Sequence, residues 1–313
     1  MNVATDSSLS NDKTSVPDEA QVVGSADDQM VISQSPLRRV TARFLTDRMA
    51  VFGLAVMLLI ITLTILAPLI YSWDVVIDVA FETKLLPPSI SHPFGTDHLG
   101  RDNLARVIWG GRESLRAGYL VVLIGLGGGT VLGLVSGFLG GWVDNTIQRF
   151  VDVLLAIPSI LLALSVVGAL GPGLVQVMLA VGLANIPNYT RLIRGSVLEA
   201  KENEYVRAAR VLGASNRRIM FRHILPNVIG PVLVYATLGL GIAIMITAGL
   251  SYLGLGAQPP SPEWGYMLNE GRRYLRHAWW MVVFPGVAIV VAVLSINMVG
   301  DGLQDAINPK IRK

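Results

Sequence analysis

The chain has no cysteine among its 313 residues, which excludes disulfides, thiolate metal sites and cysteine nucleophiles. Charge is scarce too. Asp, Glu, Lys and Arg make up 15% of the residues against 52% hydrophobic, and the mean hydropathy of +0.55 is too high for an ordinary soluble domain. No GxxxxGK followed by Ser or Thr occurs, so the chain encodes no phosphate-cradling nucleotide loop. No serine comes with a His/Asp set that the sequence identifies, which leaves nucleophilic catalysis without support. The net charge of +3 is spread along the chain rather than gathered on a basic face, so no nucleic-acid partner is expected.

What the chain does have is long uncharged runs. Residues 50–71, 117–139, 153–170, 174–190, 228–257 and 280–300 contain no Asp, Glu, Lys or Arg. A helix of about 20 apolar residues crosses a hydrocarbon core of about 30 Å, where lipid offers no partner to an unpaired backbone group. The expected fold is therefore all-α, a polytopic membrane bundle of about six helices over 37–313, with both termini on one side of the bilayer. Basic residues decide which side. Arg38, Arg39, Arg43 and Arg48 precede the first run, eight Lys and Arg lie between Arg191 and Arg222, and Lys310, Arg312 and Lys313 end the chain. With Arg149 these make sixteen on one side against seven on the other. Basic loops stay in the cytoplasm, so both termini are expected there. Residues 1–36, polar and without period, are expected to be a disordered cytoplasmic tail. The first run starts too late and is too long for a cleaved signal, and is expected to be a retained anchor.

Gly125, Gly129, Gly133, Gly137 and Gly141 recur at every fourth position, which stacks small residues on one helix face for close packing against another helix. Pro158, Pro187 and Pro231 remove backbone donors and are expected to kink their helices. Within the runs the polar groups are few, chiefly Asn185, Asn188, Thr237, Thr247 and Asn297. Ionisable groups at the membrane midplane, which coupled carriers generally need, are missing, so energy is expected to come from elsewhere.

The hydrophilic interval 191–227 reads as two short helices. Tyr205, Ala208, Ala209 and Leu212 form a small apolar face before Gly213, a helix stop, and Ser215 can cap the helix that follows. Ile219, Met220 and Ile224 give that second helix an apolar side, and Pro226 turns the chain back toward the membrane. A partner groove and an anionic headgroup layer would both accept such a surface, and the pattern alone leaves both open.

These residues resemble a known family. Ala208, Ala209, Gly213, Leu225 and Pro226 stand where the EAA loop of bacterial ATP-binding-cassette import permeases has its alanines, glycine, leucine and proline. FGTDHLGRDNLARVIWGGRESL from Phe94, DVLLAIPSILLAL from Asp152, SYLGLGAQPPSPEWGYML from Ser251 and GDGLQDAINPK from Gly300 resemble the shorter permease of dipeptide, oligopeptide and nickel importers. Arg207 stands where that signature has Glu, and His223 where it has Ile. The resemblance implies a type I importer permease of a prokaryotic inner membrane, catalytically silent and without cofactor. Its implied partners are a second, homologous permease, two cytoplasmic ATPases and an extracytoplasmic binding protein. Glu204, Tyr205, Arg207, Ala208, Ala209, Gly213, Ala214, Ser215, Leu225 and Pro226 are the implied ATPase-coupling residues. Peptide is the implied cargo, with nickel or another small solute as alternative. A self-sufficient carrier or channel is the rival class, and would need midplane charges or inverted repeats that are not visible.

Two polar constellations lie outside the runs. His92, Asp97, His98 and Asp102 match no established metal-ligand spacing, and Gly95 and Gly100 mark turns that short Asp side chains commonly cap. Glu263, Glu270, Arg272 and Arg273 read as a solvated or gate-lining surface rather than a paired carboxylate site.

Overall fold

The computed structural model describes residues 36–307, so the basic closing residues and the tail before Pro36 lie outside the described residues. Its helices are α1 (Pro36–Thr46), α2 (Arg48–Ile70), α3 (Trp73–Ile77), α4 (Asn103–Leu139), α5 (Gly141–Leu155), α6 (Ser159–Leu170), α7 (Leu174–Lys201) and α8 (Glu204–Val211). They continue with α9 (Asn216–Tyr252), α10 (Trp264–Gly271) and α11 (Trp280–Ile307). Among the described residues no strand forms; the only ladder contact is a bridge between Thr96 and Asp102.

Four helices, α2, α4, α9 and α11, are long and apolar enough to cross a membrane. The expected third run is not one straight helix: α5 and α6 meet at a break bent by 86°, the geometry of a broken span or of a re-entrant loop. Proline is the cause. Pro158 has no N–H to continue the ladder, and it ends up as the cap residue of α6 with extended ψ. By contrast α7 and α9 run on through Pro187 and Pro231. The expected fourth span, in α7, falls short by composition, because Gln176, Asn185, Asn188 and Arg191 dilute its apolar face. The count of six spans is thus not reached by length and composition.

α7 packs one face deep into the bundle and leaves Val175, Leu179 and Leu183 exposed on the other. Its widest contact is with α4, and Val177, Ala180, Val181, Ile193 and Val197 are all buried there. The glycines make this approach possible. A Cβ on Gly133 would sit 2.7 Å from the Thr190 carbonyl oxygen, and one on Gly137 would sit 2.9 Å from Val197 Cβ. Gly125 and Gly129 face Tyr189 in the same way, whereas Gly141 lies past the end of α4, opens α5 with φ +56° and faces empty space. With no hydrophobic drive between helices in lipid, such close backbone approach is a main source of association.

Contacts also define two ends of the bundle. At one, Gly302 of α11 packs on Ala50 of α2, and the Lys201 ammonium closing α7 donates to the Phe138 carbonyl of α4 at 2.9 Å. At the other, Gly173 N–H donates to the Leu255 carbonyl and the Trp264 indole to the Val107 carbonyl. α2 and α11 therefore begin and finish, respectively, at the same end. That end also carries α8.

Candidate functional site

The first cluster of interest is built on α8. Lys201 and Glu202 close α7, and Asn203 reaches back with its amide to the Glu199 and Ala200 carbonyls, so the chain turns at once into the next helix. α8 stops in a Schellman turn: Gly213 N–H donates to the Arg210 carbonyl and Ala214 N–H to the Ala209 carbonyl, each at 3.0 Å. Gly213 takes φ +77°, the left-handed conformation that only glycine adopts cheaply. Ser215 then opens α9, its hydroxyl accepting from Arg218 N–H.

Burial sorts the predicted residues. Val206 is buried, and Ala209, Ala214 and Leu225 pack against the same core with Ile219 and Ile224, each 0% exposed. Tyr205 and Ala208 face outward, as do Glu204, Ser215 and Pro226. Val211 and Leu212 stand out at 88% and 86% exposure, two bare apolar side chains at the tip of the turn. The small apolar face expected over Tyr205, Ala208, Ala209 and Leu212 is thus split, with Ala209 turned inward and the rest outward. Arg207 pairs with Glu202 at 3.0 Å in full solvent, an interaction of little energetic weight.

Two departures from expectation concern the surrounding helices. Arg191–Lys201 continue α7 rather than opening a loop, and Pro226 does not restart the chain. The segment Ile219–Ile224 is a π-helical turn in which Leu225 N–H donates to the Met220 carbonyl, so the wider register absorbs the missing proline donor and α9 passes through. Beside this turn, Arg194 of α7 grips Asp144 of α5 with two bonds of 2.6 Å, and Ser136 of α4 donates to the same carboxylate. α4, α5 and α7 are locked together next to α8.

At the far end the two polar constellations become one. Arg101 donates to Asp97 at 2.6 Å and to Glu270 at 3.0 Å, and Arg106 to Glu270 at 2.7 Å, with Arg101, Arg106 and Asp97 all buried. The expectation of a solvated surface at Glu263 and Glu270 is therefore corrected. Glu270 is the hub of a neutral buried network, because two guanidinium groups removed from water require two carboxylates. Glu263, fully buried, caps α10 by accepting from Gly265 and Tyr266 N–H and from the Ser114 hydroxyl; burial pushes its carboxyl above the usual range while those donors pull it down. His92 bonds to Asp102, which caps α4. Burial holds the His98 imidazole below its usual range, aided by Arg101 and Arg106 and opposed by Glu270 and Asp97. No group of three metal-ligating side chains occurs among the described residues.

Sequence reasoning missed the Arg106–Glu270 and Asp144–Arg194 pairs. For the first of these a signal existed: Asp97, Arg101 and Arg106 are close-set charges in a chain that has few, and a charge buried in protein without a partner is costly.

The described residues thus form a long apolar helical bundle of membrane-protein type with a capped helix–turn–helix at one end. Residues 129–313 match the family described as binding-protein-dependent transport system inner membrane component, and residues 35–88 match the N-terminal TM domain of oligopeptide transport permease C. The chain belongs to the first of these families. It is 44% identical over 278 residues to the dipeptide transport system permease protein DppC of Alkalihalophilus pseudofirmus, covering 89% of this chain and 91% of that protein. To the di/tripeptide permease DppC of Pseudomonas aeruginosa it is 42% identical, over 92% of this chain and 96% of the relative. The glutathione permease GsiD of Pectobacterium atrosepticum is also 42% identical, over 89% and 93%. The MetNI methionine transporter, in an inward-facing form, shares the fold with TM-score 0.54 and 19% identity, over 65% of this chain and 96% of that one. The chain is accordingly a multi-pass inner-membrane permease component, and ATP hydrolysis belongs to other subunits.

Proposed function

We propose that the chain is one of two homologous permease subunits of an ATP-driven importer of short peptides, lining the path with its partner and engaging two cytoplasmic ATPases. The observation that carries the peptide reading is the 44% identity to a dipeptide permease across nearly the whole chain; relatives named for tripeptide and glutathione transport are consistent with it. The binding protein, by this reading, delivers cargo at the Glu270 end. Residues 191–227 and both termini face the cytoplasm, in keeping with the excess of basic residues on that side.

α8 and its Schellman turn are the coupling element. Val211 and Leu212 insert into the ATPase, and the core formed by Val206, Ile219 and Ile224 carries motion of the turn into α7 and α9. The Gly125–Gly137 face of α4 holds α7 rigidly enough for that motion to travel. A cysteine at Val211 tests this reading, since the chain has no other. Oxidative crosslinking to an ATPase subunit in the assembled complex is expected, and its absence with a panel of partner cysteines removes the coupling role from the turn.

A further inference from the structure

A cleft of about 990 Å³ opens near the start of α4, walled by α2, by Trp73 of α3 and by the segment 257–262. Its floor is one stripe of α4. Trp109, Arg112, Glu113, Arg116 and Tyr119 recur at spacings of three, one, three and three, which brings all five to one face of the helix. Two other charged clusters at this end are consumed by structure, namely Asp97, Arg101, Arg106 and Glu270, and His92 and Asp102. These three charges are not. Among the described residues Glu113 and Arg116 have no side-chain hydrogen bond or ion pair, and Arg112 has only the Trp109 ring, 5.2 Å from its guanidinium carbon.

Trp109 is itself fixed, donating from its indole to the Tyr71 carbonyl at 3.1 Å and lying 5.0 Å from the Trp73 ring. A guanidinium stacked on a fixed ring keeps its in-plane N–H fork for a carboxylate. From Arg116 to Phe138, beside α8, α4 rises about 33 Å at 1.5 Å per residue, one hydrocarbon thickness. The cleft thus lies a membrane away from the coupling turn, and its volume suits a molecule of a few residues.

We propose that this cleft binds a short zwitterionic peptide by its ends, Arg112 and Arg116 holding the carboxylate and Glu113 the amino group, with Trp73 and Trp109 as an apolar wall. Arg112 and Arg116 stand one helical turn apart with Glu113 between them, so the face offers two positive charges and one negative charge to a ligand that carries both signs, as a dipeptide's termini do. The proposal rests on the peptide-importer reading and adds to it a site on this permease, separate from the binding protein.

The test is equilibrium binding of radiolabelled alanylphenylalanine, its C-terminal amide and its N-acetyl form to the complete permease–ATPase complex in nanodiscs, without binding protein. The free dipeptide is expected to bind about tenfold or more better than either blocked form, as one charge-assisted hydrogen bond implies. Arg112→Gln/Arg116→Gln should erase the preference over the amide, Arg112→Lys/Arg116→Lys should keep part of it, and Glu113→Gln should erase the preference over the N-acetyl form. No measurable binding to the wild type, equal binding of free and blocked forms, or unchanged discrimination in the variants overturns the proposal. Failure of the Gln variants to copurify with the second permease also overturns it, by making the cleft a contact between permeases. A wild-type complex that accumulates no dipeptide with binding protein and ATP overturns the importer reading itself; accumulation without cleft dependence overturns the cleft alone.

Discussion

At Gly213, φ of +77° places the burden of the turn on one residue. A Cβ there meets no neighbour, so the penalty of a side chain is purely conformational, about 1–2 kcal/mol. Gly213→Ala should leave insertion intact and lower uptake by the factor that this strain removes from the docking-competent turn, about tenfold; Gly213→Asp, which adds charge, should abolish it. Uptake per inserted subunit is the measurement, and normal uptake by both variants removes the turn from the mechanism. Glu270 carries the opposite kind of burden. Glu270→Ala would leave the buried Arg101 and Arg106 to share Asp97 alone, one positive charge uncompensated at about 3–5 kcal/mol, so the thermal midpoint of the purified complex should fall markedly. His98 adds a pH dependence whose sign follows from its depressed pKa. The unfolded chain takes up the proton first, so the stability His98 contributes is full above about pH 6.5 and drains as the pH falls toward the folded value. His98→Asn should therefore flatten the loss of thermal stability between about pH 7.5 and 5.5; an unchanged slope would mean that other groups set it.

Among the helices, the α4–α7 contact makes a prediction of its own. Gly133→Val must push against the Thr190 carbonyl and Ile193, and overpacking of this kind costs about 1–3 kcal/mol. Gly127→Ala on the same helix meets nothing within 4 Å and should be neutral; the difference in thermal stability between the two variants is the readout. The glycine stripe was legible because a period of four leaves a physical trace on one helix face. Gly141 broke the pattern because α4 ends before it, and helix ends are set by local backbone geometry that the spacing of glycines does not encode. Pro158 was legible as a kink but not as an 86° break, since α6 departs in a direction chosen by its packing on α7. α7 was legible as apolar, yet its Asn185 and Asn188 are half-buried beside the packed face, where composition alone does not measure contact with lipid. Arg106 and Glu270 are 164 residues apart, and no local period connects them.

For the molecule as a whole, α4 and α7 descend as one packed pair from the Glu270 end, where the cleft lies, to the turn proposed to engage the ATPase. Asp144 and Arg194 clamp that pair at the α8 end. Asp144→Asn should loosen the clamp and uncouple ATP hydrolysis from uptake, read as more ATP consumed per peptide moved, with subunit assembly unchanged. The orientation is open to a direct check: Ser215→Cys should react with an impermeant thiol reagent only in inverted vesicles, and labelling in intact cells would reverse the topology. The central claim is that this chain moves peptide only as part of an ATP-driven assembly. Accumulation of a labelled dipeptide in proteoliposomes tests it most directly. The account predicts accumulation when the second permease, the ATPases, the binding protein and ATP are all present, and none with this chain alone under any ion gradient; gradient-driven accumulation by the isolated chain would contradict it.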